Sequence, residues 1–131
     1  MAHEIINPAG LHDPGAFGYS HIATTSGELV FIAGQYASDG SGQVTSSDFA
    51  EQVEQSLANL RTALAEVGLD FSRVVQLRTY IVEHDAAKLE TIGRLIGQIW
   101  GKRPPTQTLL GVAALAFPDM LFEVDAVAVR P

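Results

Sequence analysis

The sequence predicts an α+β fold, a mixed β-sheet carrying two helices, and three observations carry that prediction. Two stretches, around residues 48–67 and 85–100, repeat apolar residues at helical spacing. Runs rich in β-branched and aromatic residues lie before, between and after them. Strands, helix, strand, helix, strands is the order of an α+β domain. The length of 131 residues fits one domain spanning the whole chain, with no repeat, low-complexity tract or linker to divide it.

Taken in order, a Pro- and Gly-rich loop from Asn7 to Gly18 precedes two strands, Tyr19 to Thr25 and Glu28 to Ala33. Ser26-Gly27 between them is a tight-turn signal, so a hairpin is expected. Asp39-Gly40-Ser41-Gly42 marks a second turn. Phe49, Val53, Leu57, Leu60, Leu64 and Val67 then recur on one helical face, with Asp48 and Glu51 resembling a capping box and Gly68 placed to stop the helix. Val74 to Val82 is a strand with apolar residues on both faces. The second helix runs from about Asp85 to Trp100 on Leu89, Ile92, Ile96 and Ile99, and ends at Gly101. Its Gly93 and Gly97 share a face and cost about 1 kcal/mol each relative to Ala, so close packing is expected there. The last strands are Thr108 to Ala114 and Leu121 to Val129, joined by a turn at Phe117-Pro118-Asp119.

Two helices cover only one face of a sheet. Leu110, Val112 and Ala114 alternate with Leu109, Gly111 and Ala113, so neither face of that strand is polar, and a second subunit is expected to cover the bare face.

Composition removes several function classes. Without Cys there is no disulfide, thiolate metal site or Cys nucleophile. A formal charge of −7, with eight scattered Lys and Arg, repels phosphate backbones, so no nucleic-acid partner is expected. Neither a secretory leader nor an apolar run of about 18 residues is visible, which predicts a cytoplasmic protein with no membrane partner. His3, His12, His21 and His84 lack metal-ligand spacing, so no metal is expected. Serine-hydrolase elbows and P-loops are absent, Gly40 and Gly42 belong to a hairpin turn, and no cofactor is expected.

The last strand is more informative. Glu123 and Asp125 point to one face, about 6–7 Å apart, within a stretch whose other residues want burial. Two readings stand: a salt bridge or interface contact, for instance with Arg78, or a general acid/base at a subunit cleft with its pKa raised by burial.

Four segments, GYSHIA (Gly18 to Ala23), LVFIAGQYA (Leu29 to Ala37), LAEVGLDFSRVVQLRTYI (Leu64 to Ile81) and PTQTLLGVAALAFPDMLFEVDAVAV (Pro105 to Val129), resemble the Rid/YjgF superfamily, also called the endoribonuclease L-PSP family. The resemblance implies a chorismate-mutase-like fold: a six-stranded mixed sheet with two helices on one face, the other face buried in a homotrimer with a ligand cleft at each subunit boundary. In the deaminating members that cleft binds a reactive 2-enamine or 2-imine acid and hydrolyses it to a 2-keto acid and ammonia. By resemblance Tyr19 is the cleft tyrosine, Gly34 the glycine of a Ser-Gly-Gln segment, and Glu123 the acid associated with water activation. Three positions depart from the pattern: Ala33 replaces the Ser, Gly93 the helix Asn, and Leu109 the Cys or Thr beside the substrate.

The largest departure is at Gln107, where relatives keep an Arg that clamps the substrate carboxylate. A neutral amide lacks the charged fork, which costs about 1.5–3 kcal/mol of binding. Arg103, four residues upstream, is the candidate substitute. Phe17 is placed to line the cleft mouth, and Trp100 to close a helix in the core, at an interface or at the cleft. Without the resemblance Tyr19 reads as an ordinary edge aromatic, and Gln107 has the alternative reading of a partner for backbone groups at the strand entry. The expected function is a trimer binding a small metabolite and hydrolysing an imine or enamine. Its rivals are a non-catalytic binding or regulatory trimer and a ribonuclease or translation inhibitor, the last opposed by the acidic balance.

Overall fold

The structure, a computed structural model, describes residues 3–131. Among these the strands are β1 (Glu4–Ile6), β2 (Ile22–Thr24), β3 (Glu28–Gln35), β4 (Val74–Val82), β5 (Thr106–Val112) and β6 (Phe122–Arg130), and the helices α1 (Phe49–Glu66) and α2 (Ala86–Trp100). The main sheet runs β3-β6-β4-β5, with β4 and β5 parallel and the other pairs antiparallel, so it is mixed. β1 and β2 form a separate antiparallel pair, tied to the main sheet where Ser20 bridges to Thr106. The expected six strands are thus divided four and two.

Helix boundaries follow their caps. The Asp48 carboxylate accepts the Glu51 N–H, and Gly68 (φ 75°) donates to the Ala65 carbonyl as the chain turns out of α1. In α2 the Asp85 carboxylate accepts the Lys88 N–H, and Gly101 follows with φ 58°. Val53, Leu57, Leu60 and Leu64 of α1, with Ile92, Leu95 and Ile96 of α2, pack on Leu77, Ile81, Phe122, Val124 and Ala126 of the sheet. Both helices therefore sit on one sheet face.

Buried Gln52 is the polar strut of this core. Its amide donates to the carbonyls of Ser46 and Asp119 and accepts the Leu121 N–H, so every end of it is used. That anchor fixes the chain one residue before β6 begins.

Further expectations change. The hairpin at Ser26-Gly27 does not form: β2 pairs with β1, and β3 with β6. A Cβ on Gly27 (φ 122°) would lie 2.5 Å from the Arg130 carbonyl oxygen, so this glycine lets the chain cross the end of β6 and pass from one sheet to the other. The strand read as Thr108 to Ala114 starts two residues earlier, because Thr106 is held by the Val75 carbonyl and by the bridge to Ser20. Finally, Cβ atoms added at Gly93 or Gly97 would meet nothing within 4 Å, so no close packing demands glycine at either within this chain.

The sheet face away from the helices carries exposed apolar residues on its two edge strands, β3 and β5. Phe31 is 74% exposed, Leu29 50% and Leu110 41%. On β4 that face carries Gln76, Arg78 and Tyr80, so the expectation of apolar residues on both faces of this strand does not hold.

Candidate functional site

The predicted site residues gather in two places. The first is a cavity of about 460 Å³ at the edge strand β5, lined by His12, Phe17, Tyr19, Leu89, Gln107, Thr108 and Leu109. Strand alternation puts Gln107 and Leu109 in register with the buried Leu77 and Thr79 of β4, on the helix-facing side. The Pro14–Gly18 turn supplies the opposite wall: Gly18 takes φ 78°, the left-handed conformation that favours glycine, and lies against α2 beside Gly93. Tyr19 follows immediately, and Ser20 is pinned by its N–H to the Pro105 carbonyl and its hydroxyl to the Pro104 carbonyl.

Within the cavity the polar groups are held. The Gln107 amide oxygen accepts from the hydroxyl of fully buried Thr79 at 3.2 Å, which turns its NH2 end toward the Gly18 carbonyl, a long contact of 3.4 Å. Gln107 therefore presents donors and no charge. Nε2 of His12 lies 2.5 Å from the Tyr19 hydroxyl, and the His12 ring stands edge-on to Phe17, Tyr19 and His21. His21 Nε2 donates to the His12 carbonyl at 2.8 Å. Tyr19, Gln107 and Thr108 also line an adjoining cavity with Gln76 and Thr106, so the space wraps round the β5 edge toward the bare sheet face.

The second place is on that bare face. Glu123 stands opposite Tyr80, and Asp125 opposite Arg78, on neighbouring strands. Arg78 Nε bonds Asp125 Oδ1 at 2.9 Å, and the Tyr80 hydroxyl donates to Asp125 Oδ2 at 2.9 Å. Of the two readings for this acid pair, Asp125 takes the salt bridge, with the Arg78 named for it. Glu123 is left as the perturbed member: partial burial, and then the Asp125 charge, raise its pKa above the usual carboxylate value. It lies against Gly34, where an added Cβ would fall 2.3 Å from its Oε2. The β3 bulge between Ile32 and Gln35 brings this backbone close, with Ala33 exposed beside it.

Tyr19, Phe17, Gln107 and Leu109 are therefore together, and Glu123, Gly34 and Ala33 are together on the other face. Gly93 lines a shallow neighbouring pocket that shares Phe17 and Leu89 with the cavity, but it is not in the cavity wall. Arg103 is not in the cavity wall: its Nη2 donates to the His3 carbonyl at 3.0 Å, which holds it toward the N-terminal segment. Trp100 is not in the site either: its Nε1 donates to the Phe71 carbonyl and its ring packs on Phe71. Among the described residues no three His, Asp or Glu form a metal-ligand group.

Sequence reasoning missed His12 and Thr79. His12 lies in an aperiodic loop, with no spacing to flag it. Thr79 did leave a signal, a hydroxyl between Leu77 and Ile81 at a core position of a strand.

Two helices on one face of a mixed sheet, with a cavity at its parallel edge strand, define the chorismate-mutase-like α+β class. The chain belongs to the endoribonuclease L-PSP family of the Rid/YjgF superfamily, whose model matches residues 11–130. Human 2-iminobutanoate/2-iminopropanoate deaminase is 31% identical over 118 residues, 89% of this chain and 84% of that one. The Escherichia coli RutC family protein YjgH is 31% identical over 95% of this chain and 92% of its own. Among solved structures, the Rid family protein YyfB of Yersinia pestis superposes with a TM-score of 0.94 at 38% identity, covering 99% of this chain and 100% of its own. Among the described residues no helix is long and apolar enough to cross a membrane.

Proposed function

We propose that this protein hydrolyses a small imine or enamine in a site completed between copies of the chain, with the Tyr19–Gln107 cavity of one subunit facing the Glu123–Gly34 patch of another. The separation of these two groups on opposite faces of one sheet carries the reading. Neither half has both a ligand cavity and a carboxyl able to take a proton from water. The exposed Phe31, Leu29 and Leu110 on the face that bears Glu123 favour burial there against another copy, and a homotrimer is the closed arrangement that the resemblance implies.

In this reading Glu123 orients water and accepts its proton, a role helped by a pKa moved toward neutrality. Tyr19 and the Gln107 NH2 orient the ligand through neutral donors. The favoured ligand does not depend on a carboxylate clamp, since neither Gln107 nor the diverted Arg103 offers one. The substitution of Gln107 and Leu109 for the resemblance's Arg and Cys or Thr favours the second reading, a trimer that binds but does not turn over. The charge of −7 counts against an RNA substrate.

The deciding experiment follows loss of 2-iminobutanoate, generated by an amino-acid oxidase, and of uncharged imines. Wild type should be slow on the acid, and Gln107→Arg should bind it about 10- to 150-fold more tightly. Wild type as effective on the acid as an Arg-bearing relative would refute the missing-clamp claim. Inactivity of both proteins on every imine, with ligand binding indifferent to Glu123→Ala, leaves the binding module. A native mass showing monomer at micromolar concentration would remove the shared site.

A further inference from the structure

Resting on that hydrolase reading, we propose that His12 is the proton donor of the cavity, acting with Tyr19 as an imidazole–phenol pair that protonates the departing nitrogen. Hydrolysis of an imine needs an acid at nitrogen as well as a base at water, and the Glu123 patch supplies only the second. In the cavity the remaining wall groups, Phe17, Leu89, Leu109, Thr108 and the Gln107 amide, have no ionisable side chain. His12 and Tyr19 do, and they are already 2.5 Å apart.

The pair is also held in place. Three edge-on ring contacts and the His21 Nε2–H bond to the His12 carbonyl orient the imidazole, and the Ser20 bonds fix the chain beside Tyr19. That carbonyl can only accept, so the His21 Nε2 carries a proton committed to it. His12 is exposed, which lets it exchange protons with solvent between turnovers.

The proton ledger closes. As the water oxygen bonds to the imine carbon, Glu123 takes one water proton and the C=N pair moves to nitrogen. Nitrogen takes the Tyr19 hydroxyl proton, which Nε2–H of the His12 imidazolium replaces. The C–N bond then breaks with its electrons on nitrogen. The Glu123 proton returns through solvent to His12, the Tyr19–His12 pair gives nitrogen the second proton that makes it ammonia, and Glu123 takes the carbinol hydroxyl proton, leaving a carbonyl.

The test measures kcat and KM for imine hydrolysis by wild type, His12→Gln, His12→Ala, Tyr19→Phe and the His12→Gln/Tyr19→Phe double variant. His12→Gln keeps a hydrogen-bonding group and should lose about 100-fold or more in kcat with little change in KM. Added imidazole should restore His12→Ala, and the double variant should lose no more than either single one, because the pair works as a unit. Wild type active with His12→Gln within about twofold of it would overturn this inference and leave the hydrolase reading standing. A kcat loss that imidazole does not restore, accompanied by a lower melting temperature, would make His12 structural and also overturn it. An inactive wild type would remove the hydrolase reading and this inference with it.

Discussion

The two halves of the candidate site are built on opposite principles. The Tyr19–Gln107 cavity has walls within one chain, made by a loop folded onto α2, and its Gln107 is held by buried Thr79 while Tyr19 and His12 hold each other. The Glu123–Gly34 patch is an island of charge on a flat, exposed sheet face, with neighbours but no walls. An open cavity with walls on several sides can still select a ligand by shape. A carboxyl patch without walls selects nothing until a second surface covers it, so in the proposed reading its chemistry is tied to assembly. Its position is nonetheless exact in register, because strand pairing sets Glu123 opposite Tyr80 and the Gln52 anchor sets where β6 begins.

The sharpest way to break this contrast is Gly34→Ala. The added Cβ would fall 2.3 Å from Glu123 Oε2 and 3.0 Å from its Cγ, so the carboxyl must move while the fold can survive. A displacement of about 1 Å is worth about 100-fold in rate. Hydrolysis should fall by that order, with ligand binding in the cavity and the melting temperature nearly unchanged; an unchanged rate would show that Glu123 is not in the reaction.

Gln52→Leu is next. It strips partners from the Ser46 and Asp119 carbonyls and the Leu121 N–H, and should cost at least about 2 kcal/mol in denaturant unfolding. Because it loosens the entry to β6, it should also lower hydrolysis more than it weakens ligand binding. Equal loss of both would mean that the halves are mechanically coupled inside one chain.

The smallest effect concerns pH. A carboxyl whose folded pKa is raised binds its proton more tightly folded than unfolded, so the wild type loses stability as pH rises from the usual carboxylate range through the raised value. Glu123→Gln removes that loss. Its melting temperature should exceed wild type modestly at neutral pH, and the difference should vanish in acid. A constant difference across pH would put the perturbation elsewhere.

Much of this was legible in the chain. Repeats at three and four residues located both helices, and Asp48, Gly68, Asp85 and Gly101 marked their ends through local backbone chemistry. The spacing of Glu123 and Asp125 gave their shared face, because alternation in a strand is a local rule, while Arg78, offered as one instance of a partner, meets Asp125 through the β4–β6 register. Ser26-Gly27 misled because turn residues say that the chain turns, not which strand it then meets.

The cavity wall was harder. His12 belongs to it only because Gly18 can approach Gly93, seventy-five residues away in sequence. Arg103 was drawn away by a backbone carbonyl one hundred residues upstream. The sequence by itself placed both helices and the strands β3 to β6 and put a neutral amide at residue 107, since periodicity, capping and side-chain charge are properties of neighbours along the chain. Tertiary structure alone decided that Tyr19 meets His12, that Thr79 turns the Gln107 amide, and that Glu123 lies on the far face of the sheet, because those contacts depend on which distant segments the core brings together.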